Sequence, residues 1–146
     1  MENRMTITIS ARSENEAFAR SAVAAFCIPL SPTVDQINEI KTAVSEAVTN
    51  AVVHAYDTCE GEIFLSASYG ADGVLHITVK DEGRGIPCVK QAMQPFYTTG
   101  EEEERSGMGF TIMRTFTDDL KVDSTPGGGT VVRMQKRIGT AAGDVE

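Results

Sequence analysis

No stretch of this chain is apolar for the roughly 20 residues that a membrane-spanning helix requires, so a bilayer protein of that kind is not expected. The N-terminus lacks the basic start and apolar core of a secretion signal, and export is not expected either. Cysteine is scarce. There are three, Cys27, Cys59 and Cys88, an odd number with no Cys-x-x-Cys spacing. That pattern favours neither a disulfide framework nor a zinc site, and reduced thiols in a cytoplasmic protein are the expectation. The two histidines, His54 and His76, are too few for a typical metal cluster. Positive charge is in deficit: 13 Lys and Arg stand against 21 Asp and Glu, a net charge of −8. Such a surface repels phosphate backbones, so a direct nucleic-acid partner is not expected. Gly-Lys-Ser/Thr is also missing, which excludes a P-loop.

What is present describes one globular domain. The chain has 146 residues, 41% of them hydrophobic and 23% charged, enough to bury a core. A single domain over residues 1–137 is expected, with 138–146 as a frayed tail. Met5 to Ser10 alternates as a strand does. Ser13 and Glu16 have capping-box spacing before a helical face of Phe18, Ala22, Ala25 and Phe26, which Pro29 ends. Ser31-Pro32-Thr33 opens a longer helix, with proline suited to its first turn. Its apolar stripe is Ile37, Ile40, Val44, Ala47, Val48, Ala51, Val52 and Ala55. Glu46, Asn50 and His54 span an arc of roughly 80°, at about 100° per residue, mostly opposite that stripe. Two strands follow around Gly70-Ala71-Asp72-Gly73, whose Asp-Gly suits a hairpin. A short helix is expected over Pro87 to Met93, a long loop over Gln94 to Ser106, a helix over Phe110 to Phe116, and a last hairpin around Gly127-Gly128-Gly129. Hairpins dominate over β–α alternation. The predicted fold is therefore α+β: a two-layer sandwich with helices on one face of a mostly antiparallel mixed sheet.

Four short motifs carry chemistry in combination. Glu46 and Asn50, four apart, share one helix side. An amide oxygen at Asn50 suits Mg2+ that also takes phosphate oxygens and waters, and Glu46 is placed to accept a proton from an attacking hydroxyl. Asp81, at a strand end before Gly83 and Gly85, can accept from an adenine amino group. Gly107-Met108-Gly109 precedes a helix whose free N–H groups favour phosphate, and Arg105 beside it is a candidate for the terminal phosphate. Thr130 closes a glycine turn and could hydrogen-bond next to Asp81. Each motif alone also fits an ordinary reading: polar residues on a solvated face, a glycine turn, a surface arginine, a strand threonine.

The ordered set Glu-x-x-x-Asn, Asp-x-Gly-x-Gly, Gly-x-Gly and Gly-Gly-x-Thr resembles the GHKL ATPase/kinase superfamily of DNA gyrase and the histidine kinases. More narrowly, the chain is similar to the bacterial anti-sigma serine kinases, and among them to those of sporulation. The likeness runs over about residues 4–136. Its most specific stretches are Ala11 to Glu16, Glu39 to Tyr56 and Glu104 to Met113. The resemblance implies an anti-sigma factor that holds a sporulation sigma factor and phosphorylates a serine on its anti-anti-sigma antagonist, with ATP/ADP and Mg2+ as cofactors and a homodimer as the assembly. It implies Glu46 as the catalytic base and Asn50 as the magnesium ligand. Asp81, Gly83, Gly85 and Thr130 would form the adenine pocket. Arg105, Gly107 and Gly109 would line the phosphates beneath a lid of about Gln94 to Ser106. His54 would approach a phosphate, and Arg20, on the first helix, would lie on a partner surface. The acidic run Glu101-Glu102-Glu103 is expected to face solvent. The alternative reading is the ATP-binding half of a split histidine kinase, which would need a phosphoacceptor histidine on a helix pair.

Overall fold

A computed structural model of the chain describes residues 2–55, 61–83, 109–125 and 127–138. Among these residues it has five strands and three helices. The strands are β1 (Asn3–Ser10), β2 (Glu62–Tyr69), β3 (Val74–Asp81), β4 (Asp119–Thr125) and β5 (Gly129–Arg137), and the helices are α1 (Glu16–Phe26), α2 (Val34–Asn50) and α3 (Gly109–Phe116). They build the predicted α+β arrangement. The sheet order is β1-β2-β3-β5-β4, and every described strand pair is antiparallel.

Strand register turns the period-2 alternation into rows across the sheet. One row is Met5, Ala67, Ile77, Met134 and Leu120, and the next is Ile7, Leu65, Val79, Val132 and Val122. These rows meet the helices. Leu65, Ala67, Ile77, Val79, Val132 and Met134 are buried, and the edge-strand residues Met5, Ile7, Leu120 and Val122 pack partly against them. Burying each large apolar side chain contributes about 1.5–3 kcal/mol. The opposite face carries Thr6, Ser66, Thr78, Arg133 and Lys121 in one row, polar as a solvated sheet face should be.

In the helical layer, α2 packs against both α1 and α3. It buries Ile40, Ala43, Val44, Ala47 and Val48. The predicted stripe omitted Ala43, whose small side chain faces the core between Ile40 and Ala47. From α1, Ala19, Val23 and Ala24 are buried. Cys27 follows with its Sγ 3.3 Å from Ala24 O, and burial pushes its thiol pKa up. Phe26 and Tyr69 tie α1 to β2, ring centroids 5.1 Å apart.

The buried face of α1 is not the expected one, since Phe18 is exposed and Ala19 and Val23 are buried instead, and three further local expectations need correction. Ser13 begins a single 3-10 turn at which no side-chain capping hydrogen bond forms. Glu16 is turned toward Arg20 instead, 3.2 Å away. The capping box belongs to α2, where Thr33 Oγ1 accepts from Gln36 N–H at 3.0 Å and Gln36 Oε1 accepts from Thr33 N–H at 2.9 Å. Pro32 thus precedes the cap and is not in the first turn. Finally, the chain stays tied down through residue 138. Ile138 is buried and its N–H donates to Gly73 O at 2.9 Å. The Gly70–Gly73 turn is as predicted, with Gly73 at φ 75. The expected helix at Pro87 to Met93 and residues 139–146 lie outside the described residues.

Candidate functional site

The apolar rows end at one edge of the inner face in a polar one. Ile9, Ile63, Asp81, Thr130 and Ser124 face one another across the five strands. Two core isoleucines there give way to a carboxylate and two hydroxyls. Asp81 is 5% exposed and Thr130 6%, the two buried polar side chains among the described residues. A buried carboxylate needs partners. Gly83 N–H donates to Asp81 Oδ1 at 3.0 Å. Burial nevertheless holds the Asp81 pKa above the usual carboxylate value, against the opposing pull of the Gly83 and Thr130 backbone groups. Thr130 Oγ1 lies 2.8 Å from Ser124 Oγ. A carboxylate and a hydroxyl held side by side at the rim of a core suit a flat ligand whose edge donates hydrogen bonds.

Gly129 makes that rim possible. It sits at φ +89, and a Cβ there would collide with the Asp81 carbonyl and come within 2.8 Å of Glu82 Cα. Only glycine lets β5 start flush against the end of β3. The glycine run 127–129 was visible in the sequence, but the one glycine with this duty was not, because its neighbour is 48 positions earlier in the chain.

The second half of the site is on the helices. Glu46 and Asn50 are half-buried on α2, on the side away from its core stripe. Gly109, first residue of α3, meets both: a Cβ added there would be 3.0 Å from Asn50 Nδ2 and 3.2 Å from Glu46 Oε1. The first and third motifs are therefore in contact. The start of α3 brings the positive end of a helix dipole next to a carboxylate and an amide. Beyond Asn50 the helix continues as a π-helical turn, Ala51–Ala55, which packs on β3 and β5. That turn joins the α2 face to the strands carrying Asp81 and Thr130. Such turns recur at functional sites, and nothing in the Ala51–Ala55 sequence announced it.

The structure thus brings together Glu46, Asn50 and Gly109, and separately Asp81, Gly83 and Thr130. The backbone of His54 lies in the π-helical turn, while its side chain falls outside the described residues, as do Gly85, Arg105, Gly107 and the segment Gln94 to Ser106. Arg20 is on α1, paired with Glu16, its side chain 42% exposed. His76 lies on the outer sheet face, opposite Ser68 and Gln135. Among the described residues no helix is long and apolar enough to cross a membrane.

The residues present fit a magnesium nucleotide. Asn50 offers one oxygen ligand, which suffices for a cation otherwise held by phosphates and water. The missing Cβ at Gly109 lets the start of α3 come close to Asn50 and Glu46.

Comparison with known proteins identifies the family. Residues 9–136 match the histidine kinase-like ATPase domain. Over 137 residues the chain is 55% identical to an anti-sigma F factor of Caldanaerobacter subterraneus subsp. tengcongensis, covering 94% of this chain and 95% of the relative. It is 50% identical over 139 residues to an anti-sigma F factor of Bacillus subtilis, covering 94% of each. Among solved structures it resembles the RsbU and RsbW domains of a Mycobacterium tuberculosis protein, with a TM-score of 0.69 and 22% identity, covering 96% of this chain and 33% of that one. A histidine kinase domain of Erythrobacter litoralis superimposes with a TM-score of 0.57 and 23% identity over 89% of this chain and 62% of that one. At these identities the two structures speak to the fold.

Proposed function

Since the chain belongs to the histidine kinase-like ATPase family and groups there with the anti-sigma F factors, we propose that it binds a sporulation sigma factor and phosphorylates a serine on that factor's antagonist with ATP. The observation that carries the kinase reading is the contact at Gly109. It sets a carboxylate and an amide under the N-terminus of α3, where a phosphate is favoured. Mg2+ at such a site would neutralise charge on the phosphates.

In this reading Glu46 takes the proton from the serine hydroxyl as it attacks, and Asn50 holds the metal. Asp81, Gly83, Gly85 and Thr130 receive adenine. Gly107, Gly109, Arg105 and His54 serve the phosphates. Arg20 and its surroundings on α1 meet a protein partner. The resemblance further implies a homodimer in the cytoplasm, which sedimentation of the purified protein would test.

The deciding experiment mixes the protein with labelled ATP, Mg2+ and candidate acceptor proteins. Acid-stable phosphoserine on an antagonist is expected, and acid-labile phosphohistidine would favour the histidine kinase alternative. Glu46→Gln keeps the shape of the side chain but cannot accept the proton. It should lower transfer by about 10²–10⁴-fold while ATP still binds. Asn50→Ala should instead weaken Mg·ATP binding. Transfer at the wild-type rate by Glu46→Gln would remove Glu46 from the base role.

A further inference from the structure

Ser124 belongs to none of the four motifs, yet the fold delivers it to the polar row. It stands on β4 opposite Thr130 of β5. Its Oγ lies 2.8 Å from Thr130 Oγ1 and donates to Gly129 O at 3.2 Å. We propose that Ser124 is a positioning residue that fixes the Thr130 hydroxyl as a hydrogen-bond acceptor beside Asp81, and so helps select a base with an amino group at its reading edge.

The inference follows from counting protons. A serine hydroxyl has one proton and two lone pairs. With that proton on the Gly129 carbonyl, Ser124 Oγ is left to accept, and the Thr130 hydroxyl gives its own proton to Ser124. The remaining lone pairs of Thr130 then lie next to the Asp81 carboxylate, which also accepts. Thr130 is buried, so its hydroxyl cannot trade partners freely with bulk water. Two adjoining acceptors require a donor opposite. The 6-amino group of adenine supplies one. The 6-oxo group of hypoxanthine sets an acceptor against acceptors, a mismatch that buried polar sites reject strongly. Ser124 acts here through Thr130 and touches no substrate.

This rests on the adenine reading given above, and the experiment separates the two. ATP and ITP affinities are measured by displacement of a fluorescent nucleotide from the full-length protein. Wild type, Ser124→Ala, Ser124→Thr, Thr130→Val and the Ser124→Ala/Thr130→Val double variant are compared, each with a melting curve. Ser124→Ala should lower the ATP:ITP preference by roughly 5- to 10-fold, the scale of one lost polar partner. Ser124→Thr should retain it, and Ser124→Ala should add little in the Thr130→Val background. Should Ser124→Ala not fold, Ser124→Cys, with its weaker donor, carries the same readout and should fall in between. A hydroxyl pair that only stitches β4 to β5 would lower the melting temperature and leave the ratio intact. That result overturns the proposal while sparing the adenine pocket. A wild-type protein that does not prefer ATP to ITP overturns both.

Discussion

Two glycines of the site differ in what an added methyl would strike, and their alanine variants should fail in opposite ways. At Gly109 the nearest atoms are the ends of the Asn50 and Glu46 side chains, which can swing aside. Gly109→Ala should therefore hold its melting temperature to within about 2–4 °C, the shift of roughly 1 kcal/mol, while serine transfer falls at least about tenfold. At Gly129 the obstacles are the backbone of Asp81 and Glu82, which cannot move, and the positive φ adds strain. Gly129→Ala should lose about 2–4 kcal/mol, and nucleotide binding with it. Thermal unfolding beside a transfer assay checks both; equal stability losses would contradict the contrast. Asp81 makes a prediction in pH. Burial raises its folded pKa, so the folded state holds this proton more tightly than the unfolded chain does. The stability from that proton is fully present below the unfolded value of 3.8 and is lost as pH rises through the raised folded value. Asp81→Asn, whose amide oxygen can still accept from Gly83 N–H, has no such loss. Its stability relative to wild type should climb with pH from about 4 and then level off. A gap that shrinks over that window would refute the burial account.

At the scale of elements, the expected capping box at Ser13 and the one the structure forms at Thr33 give a direct comparison. Thr33→Ala removes a cap whose two reciprocal hydrogen bonds are both formed and should cost about 1 kcal/mol. Ser13→Ala removes no capping bond and should be near neutral. Denaturant titration of the two variants checks this, and a larger loss at Ser13 would show that its side chain has another duty. Ser13 and Thr33 also show where reading the sequence stops. Both have an acceptor side chain and a Glu or Gln three residues on. What separates them is that Glu16 has Arg20 one turn later and goes there. The motif residues themselves were legible, because Glu46, Asn50 and Asp81 obey local spacing on a helix and at a strand end. The pairing of Asp81 with Thr130 was guessable from the glycine turn. Ser124 and Gly129 were not legible, since their roles come from the sheet order, and nothing local says that β5 runs between β3 and β4.

At the scale of the molecule, one side chain joins the two layers at the end away from the site. Lys136 Nζ donates to the carbonyl of Phe116, the last residue of α3, at 2.8 Å and pairs with Glu39 Oε1 of α2 at 2.8 Å. It thus satisfies an otherwise orphaned helix-end carbonyl and places a cation at the negative end of the dipole. Its side chain is 11% exposed and that of Glu39 35%. The carbonyl bond is accordingly the better protected half, and solvent weakens the ion pair. Lys136→Met should cost about 1–3 kcal/mol. Glu39→Gln should cost less, and the double variant less than the sum, because both partners share the one ammonium. Lys136 stands six positions beyond Thr130 on β5, roughly 20 Å at 3.3 Å per residue. The preference for ATP over ITP should therefore survive in Lys136→Met. Saturating nucleotide should also offset its loss of stability: at 100 times Kd, binding to the folded state alone adds about 2.7 kcal/mol. Melting curves of the three variants with and without Mg·ATP test this. An altered base preference in Lys136→Met would show that the anchoring of α3 at its far end reaches the adenine pocket.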